Sequence, residues 1–340
     1  MKIKKIAFIT GYAGFVGFHL TNHLLSNSWK VVGLDAFTNY YDIKLKKDRH
    51  KILYKNKNFY SYTGCLEDKD VLEKLYKEHN PKVIIHLAAQ AGVRYSIENP
   101  SSYVDSNLIG TFNILELARK YIPDHLIMAS TSSVYGNNTK IPFNENQKSD
   151  NPISFYAATK KSNEVMAHSY SHLFKIPTTV IRFFTVYGPW GRPDMALFKF
   201  TQNILSGIPI DIFNKGKMKR DFTNIDDLIK AISLLIDVIP LNLEKRQNQI
   251  KFDTLSNTAP YRIVNVGSSN PIKLMDFIYE LESVLGVVAQ KNFLDMQEGD
   301  VLNTFCDTRL LNNLTGFKAQ KNIQQGILEF VEWYKFYYKK

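Results

Sequence analysis

The chain runs to 340 residues, 44% hydrophobic and 22% charged, which excludes a disordered protein and provides for one large core or two moderate ones. Two cysteines, Cys65 and Cys306, are too few for a disulfide scaffold, and neither has metal-ligand spacing around it, as expected of a reducing, cytoplasmic setting. The net charge of +11 includes lysines scattered over 44–57, 215–219 and 339–340, so compositional drift and attraction for an anionic small substrate both stand ahead of a nucleic-acid surface.

Residues 5–10 form an apolar run that stops at Thr10 and enters a glycine-rich turn, so it reads as a first strand rather than a signal peptide. No stretch approaches the roughly 20 apolar residues of a membrane span, and no membrane partner is expected. Gly11, Gly14 and Gly17 lie between that strand and a helix over 15–27. Glycine there permits a tight turn, close approach of a pyrophosphate and close helix–strand packing, while Phe15 and Val16 open a helix whose unpaired N–H groups face the phosphates. The spacing is G-x-x-G-x-x-G, and a plain glycine turn is the alternative for the motif alone. Asp35, ending a second strand over 31–35, changes that reading. A carboxylate there accepts hydrogen bonds from adenosine ribose hydroxyls and repels a 2′-phosphate, which points to NAD rather than NADP.

Further strands are predicted over 83–87, 126–129 and 179–183, alternating with helices near 68–79, 103–121 and 155–174. Continuous apolar strands such as Val83-Ile84-Ile85 suit a parallel sheet covered on both faces. After residue 188 the pattern is less regular, with helices near 195–206, 226–238, 272–285 and 323–338, a loop over 242–259 and a strand over 261–266. The expected fold is α/β: a Rossmann-type doubly wound parallel sheet with a smaller C-terminal substrate-binding α/β region. Residues 1–188 would bind the dinucleotide, with 225–267 returning to that part, and 189–224 with 268–340 would bind substrate.

Two features carry chemistry. Tyr156 and Lys160 are four apart on a predicted helix and share a face. A phenol titrates near 10, and bringing it to neutrality takes roughly 4 kcal/mol, which a lysine ammonium and an oxidised nicotinamide in a dry site could supply. A surface i,i+4 pair is the equal alternative until the context is read. Upstream, the strand over 126–129 ends in Ser130-Thr131-Ser132-Ser133, hydroxyls at the carboxyl end of a parallel strand where ligands bind in this fold class.

The glycine turn, His86-Leu87-Ala88-Ala89, the segment from Ser130 to Gly136, Tyr156 with Lys160, and Arg220-Asp221-Phe222 together resemble the extended short-chain dehydrogenase/reductase family of nucleotide-sugar enzymes. Within it, the segments from Gln90 to Ser96 and from Arg182 to Ala196 are similar to the members that epimerise UDP-glucuronate at C4. The resemblance implies that Thr131 bonds the sugar O4, that Tyr156 takes its proton, and that Lys160 holds the nicotinamide ribose. It also implies that Leu66, Leu87, Ala88, Ala89, Gln90 and Asn107 line NAD. Arg220 and Asp300 would hold the UDP moiety and Arg94 would contact the substrate, while Ser132, Ser133, Thr185 and Arg192 would read the sugar carboxylate. The implied activity is reversible conversion of UDP-glucuronate to UDP-galacturonate through a 4-keto sugar, by a homodimer pairing through helices 103–121 and 155–174, in polysaccharide precursor supply. Relatives that dehydrate carry an Asp-Glu pair after the threonine and decarboxylases a glutamate in the second place, where this chain has two serines. UDP-glucose 4-epimerisation, UDP-glucuronate decarboxylation and an idle NAD-binding regulator remain the alternatives.

Two departures stand out. Cys65 replaces an aspartate common near the adenine, and Tyr12 stands in the glycine turn where a small residue is commoner, compatible with NAD if it points outward. His86 is read as structural. His19, His23, His168 and His172 are given neither metal nor catalysis.

Overall fold

The structure, a computed structural model, describes residues 5–241 and 250–340. Its strands in chain order are β1 Ile6–Thr10, β2 Lys30–Asp35, β3 Phe59–Thr63, β4 Val83–His86, β5 His125–Thr131, β6 Thr178–Phe183, β7 Thr185–Tyr187, β8 Ile210–Ile212, β9 Lys219–Asn224, β10 Tyr261–Val266, β11 Pro271–Lys273 and β12 Lys291–Phe293. Seven form one parallel sheet in the order β10-β6-β5-β4-β1-β2-β3. The strand order reverses between β1 and β4, both running the same way, and this opens a crevice at their carboxyl ends.

The alternation of side chains along each strand explains why both faces are apolar. Ala7, Ile9, Val83, Ile85, Ile127 and Ile181 point to one face and meet helices Phe15–Ser26, Ile225–Ile236 and Arg309–Thr315. Phe8, Ile84, Leu126, Met128 and Val180 point to the other and meet helices Lys69–His79, Gly110–Tyr121 and Phe155–Phe174. A third core joins helices Ala196–Leu205, Leu274–Leu285 and Ile323–Tyr338 with β8 and β9. There, β7, β9 and β11 make a small sheet and β8 pairs with β12.

The expected strand over 261–266 is β10, paired in parallel with β6 through registers such as Tyr261 with Thr178. Several elements were not anticipated: helix Ile43–Leu53, β3, the short pieces β7, β8, β9, β11 and β12, and helix Arg309–Thr315. The helix expected over 103–121 is two segments joined by a π-helical turn, Val104–Ile109. Of the loop expected over 242–259, residues 242–249 lie outside the described residues, as do Met1 to Lys4; 250–259 contain neither helix nor strand. No helix among the described residues is long and apolar enough to cross a membrane.

Candidate active site

A cleft of about 760 Å³ runs along the carboxyl ends of the sheet and on beneath the C-terminal elements. At one end the first turn is built as a cradle. Gly11 has φ +74, and a Cβ on Gly17 would meet the Gly11 carbonyl oxygen at 2.0 Å, so only glycine closes this turn. Gly14 caps helix Phe15–Ser26 without a side-chain cap, leaving its first N–H groups to face the cleft. Asp35 Oδ2 accepts from the Ala13 N–H at 3.1 Å and Oδ1 from the Phe37 N–H at 2.8 Å, so the carboxylate is fixed at the cleft wall. A neutral-edged cradle, an anion-ready helix terminus and a fixed acid fit the pyrophosphate and ribose of NAD.

His86 ends β4 and is fully structural. Thr10 Oγ1 accepts from the N–H groups of Leu87 and Ala88 at 3.2 and 3.1 Å and gives its own proton to His86 Nδ1 at 2.9 Å. Nε2 therefore carries the ring proton and donates to Thr111 Oγ1 at 3.0 Å. Burial, with the nearby Lys160 charge, pushes the imidazole down to about 3, so it stays neutral. Leu87, Ala88, Ala89 and Gln90 line the cleft behind this clamp. Asn107 does not: it is fully buried and braces the wall from behind, accepting from Gln90 N–H at 2.8 Å and donating to its carbonyl at 3.0 Å. The π-helical turn brings it there. Tyr12 keeps clear of the cleft. It is 1% exposed, packs edge-on against Phe59 and Phe37, and bonds His50 Nδ1 at 3.0 Å, pointing into the core through room left by Gly33. Cys65 and Leu66 also line the cleft.

Midway along the cleft, Ser154 caps helix Phe155–Phe174 through the Ala157 N–H at 3.1 Å, which starts the helix one residue before Tyr156. Tyr156, Lys160 and Thr131 converge on the cleft wall. Burial pushes the Tyr156 phenol above its ordinary value, against the pull of the Arg192 charge and a hydrogen bond with Thr131. Burial also pushes the Lys160 ammonium down to about 8, with Glu164 one turn along opposing it. The Arg192 charge thus acts on the phenol directly, and Lys160 keeps most of its own charge at neutrality.

Glu164 was not singled out in the sequence. It accepts from Arg182 Nε at 2.8 Å and Nη2 at 2.7 Å and from Ser130 Oγ at 2.6 Å, with both charged side chains almost fully buried. Burial alone would raise its carboxyl, and the Arg182 guanidinium holds it below the ordinary value.

Beyond Tyr156, the residues expected to read a carboxylate meet. Thr131 Oγ1 accepts from the Ser133 N–H at 3.2 Å, and Ser132, Ser133, Thr185 and Arg192 all line the wall. Arg192 grips Asp194 by a fork, Nε to Oδ1 at 2.9 Å and Nη2 to Oδ2 at 2.5 Å, and Tyr40 donates to the same carboxylate at 3.1 Å. Tyr40 and Asp194 were missed; the run Asn39-Tyr40-Tyr41 is the only local signal for the first. At the far end Arg94 contacts Asp300 at 3.4 Å and stacks over Phe213 at 4.5 Å, while burial lowers Arg220 beside them. Two guanidinium groups with one carboxylate leave a surplus positive charge at that end of the cleft, which suits an anionic ligand. Among the described residues, no cluster of three His, Cys, Asp or Glu side chains could hold a metal.

The family model described as NAD dependent epimerase/dehydratase family matches residues 7–244. A probable UDP-glucuronate 4-epimerase of Rhizobium meliloti (strain 1021) is 53% identical, over 98% of this chain and 97% of that one. UDP-glucuronate 4-epimerase 4 of Arabidopsis thaliana is 43% identical, over 97% of this chain and 75% of that one. In three dimensions the chain is similar to the UDP-glucuronic acid 4-epimerase of Bacillus cereus, solved with UDP-glucuronic acid and NAD. The TM-score is 0.87 with 32% identity, covering 98% of this chain and 100% of the other.

Proposed function

The chain belongs to the NAD dependent epimerase/dehydratase family, and on that premise we propose that it interconverts UDP-glucuronate and UDP-galacturonate through a transient 4-keto sugar. The observation that carries the reading is the meeting, in one cleft, of the glycine cradle, the Tyr156–Lys160–Thr131 group and a carboxylate reader made of Arg192, Thr185 and two serines. When bound, NAD supplies the oxidant that makes the C4 ketone and the reductant that restores the alcohol.

The chain's own residues do the rest. Tyr156 takes the O4 proton as the ketone forms and returns it to the new alcohol. Thr131 holds O4 in line with that phenol. Lys160 holds the nicotinamide ribose and adds positive charge beside the phenolate. Asp35 would hold the adenosine ribose. Arg94, Arg220 and Asp300 grip the UDP moiety, so the nucleotide stays anchored while the 4-keto ring turns its other face to the cofactor. Arg192, Thr185, Ser132 and Ser133 hold the sugar carboxylate. A 4-keto uronate loses carbon dioxide readily, and Ser132 and Ser133 offer only neutral hydroxyls, neither a general acid nor a general base at C5. That places epimerisation ahead of decarboxylation and dehydration, while Arg192 in the reader argues against a neutral sugar as the preferred substrate.

We read residues 1–188, with 225–267, as the NAD-binding part, and 189–224 with 268–340 as the substrate-binding part. A homodimer through the helical stretch 103–121 and helix Phe155–Phe174 is supported by exposed apolar side chains there, Phe112, Val165 and Leu173 among them. We place the protein in the cytoplasm, in polysaccharide precursor supply.

The test is incubation of purified protein with UDP-glucuronate and no added cofactor, followed by proton NMR of the sugar. UDP-galacturonate appearing up to a fixed ratio supports the reading and shows NAD to be retained. UDP-xylose or a 4-keto pentose would make the protein a decarboxylase; conversion of UDP-glucose alone would make it a neutral-sugar epimerase.

A further inference from the structure

Arg49 and Arg182 head the largest fully buried side chains of the described residues, and they are solved differently. Arg182 faces Glu164. Arg49, on helix Ile43–Leu53, donates instead to neutral oxygens: the Ala13 carbonyl at 2.8 Å, the Tyr41 hydroxyl at 2.9 Å, the Trp190 carbonyl at 2.5 Å and the Gly191 carbonyl at 3.4 Å. Its Nε has no partner. A guanidinium taken out of water without a carboxylate is costly, and a fold keeps one where its rigid fork does something an apolar side chain could not.

The acceptors belong to two separate stretches. Ala13 sits in the glycine turn and donates its N–H to Asp35 at 3.1 Å. Trp190 and Gly191 immediately precede Arg192. That second turn has a further anchor, since His19 bonds the Pro189 carbonyl through Nε2 at 2.9 Å. Burial pushes His19 down to about 4, so the neutral ring donates from that nitrogen. Trp190 itself holds φ +59, a conformation L side chains rarely adopt and one that these anchors maintain.

We propose that Arg49 is a positioning residue that clamps the dinucleotide turn to the turn at 189–191, and so aims Arg192 at the sugar carboxylate. The inference rests on the function proposed above. It makes seating of the cofactor and recognition of the uronate two ends of one path, hydrogen-bonded from Asp35 through Ala13 and Arg49 to Trp190 and continued by the chain itself to Arg192.

The experiment is calorimetric titration of NAD-saturated protein in a Tyr156→Phe background, where nothing turns over. The ligands are UDP-glucuronate and UDP-glucose, which differ only in carboxylate against hydroxymethyl. Arg49→Gln is expected to cut the preference for the uronate about tenfold, with UDP-glucose affinity held within about twofold. In an Arg192→Ala background the same substitution should cost no further preference. Equal losses for both ligands, an undiminished preference, or a loss that persists without Arg192 would each overturn the clamp. Arg49→Lys keeps the charge without the fork and serves if the glutamine variant does not fold. It too should lose preference, and full preference in it counts against the proposal. If the protein with Arg49 intact shows no preference for the uronate, the proposed function fails and this inference with it.

Discussion

Glu164→Gln tests the support beneath the catalytic pair with one nearly isosteric change. Glutamine preserves the volume and one acceptor oxygen. It removes the charge that faces Arg182 and turns an amide N–H₂ toward a guanidinium that stands 2.7 Å from the present Oε2. Arg182 is 1% exposed and Glu164 2%, so no water relieves the loss. Breaking a buried pair in this way costs about 3–5 kcal/mol, because a buried cation is left unopposed. The urea midpoint of the NAD-loaded variant should fall accordingly. The second readout is kinetic. Glu164 is the carboxylate that resists the burial-driven fall of the Lys160 ammonium, now at about 8. Without it Lys160 discharges at lower pH, and the alkaline limb of the epimerisation profile should move downward. A stability loss under about 1 kcal/mol would refute the energetic argument. An alkaline limb unmoved in a folded variant would refute the link from Glu164 to Lys160.

Tyr156→Phe should lower turnover by at least about 10²-fold while bound NAD, read from its absorbance after denaturation, stays stoichiometric; residual turnover near the parent rate would remove the tyrosine from the mechanism. Gly17→Ala sets a Cβ 2.0 Å from a backbone oxygen and should yield protein that purifies without NAD. Lys160→Met should stabilise protein stripped of NAD. The folded-state ammonium titrates at about 8, below its ordinary 10.5, so the cost of burying its charge is fully present below about pH 8. That cost, up to roughly 3 kcal/mol, fades as pH rises toward the unfolded value, because there the folded state holds fewer protons than the unfolded one. Urea midpoints of both proteins at neutral and high pH should therefore converge; a constant gap would show that packing, not charge, sets the difference.

What could be read from the sequence follows the physics of each element. The strands β1 and β4 announce themselves because both of their faces are buried and nearly every residue is apolar, and β5 and β6 through the apolar runs Leu126 to Ala129 and Val180-Ile181. β3 does not: it is the edge strand, Phe-Tyr-Ser-Tyr-Thr, and most of its side chains are at least partly exposed. Helix Ile43–Leu53 escaped for a related reason, since the residues it buries include Lys46 and Arg49, and a search for apolar period passes over them. The glycine turn and the Tyr156–Lys160 pair are legible because local geometry alone places those residues together. Glu164, Asp194 and Tyr40 are not, because their roles come from partners such as Arg182 and Arg192 on other elements. The place of Tyr12 is not legible either, because the missing Cβ of Gly33, on another strand, is what opens the core to it.

The place of β10 in the sheet has a consequence for how the chain is made. β6 is flanked by β5, already synthesised, and by β10, which leaves the ribosome only after the intervening residues 184–260. At about 5–20 residues per second, β6 waits for seconds with one row of N–H and C=O groups unpaired. During that interval it is an open sheet edge, able to pair with any extended strand nearby. The nascent chain therefore needs either helix Ile225–Ile236 to settle early beside that edge or a chaperone to shield it. A chain halted before residue 261 would be left as a sticky fragment rather than a working half.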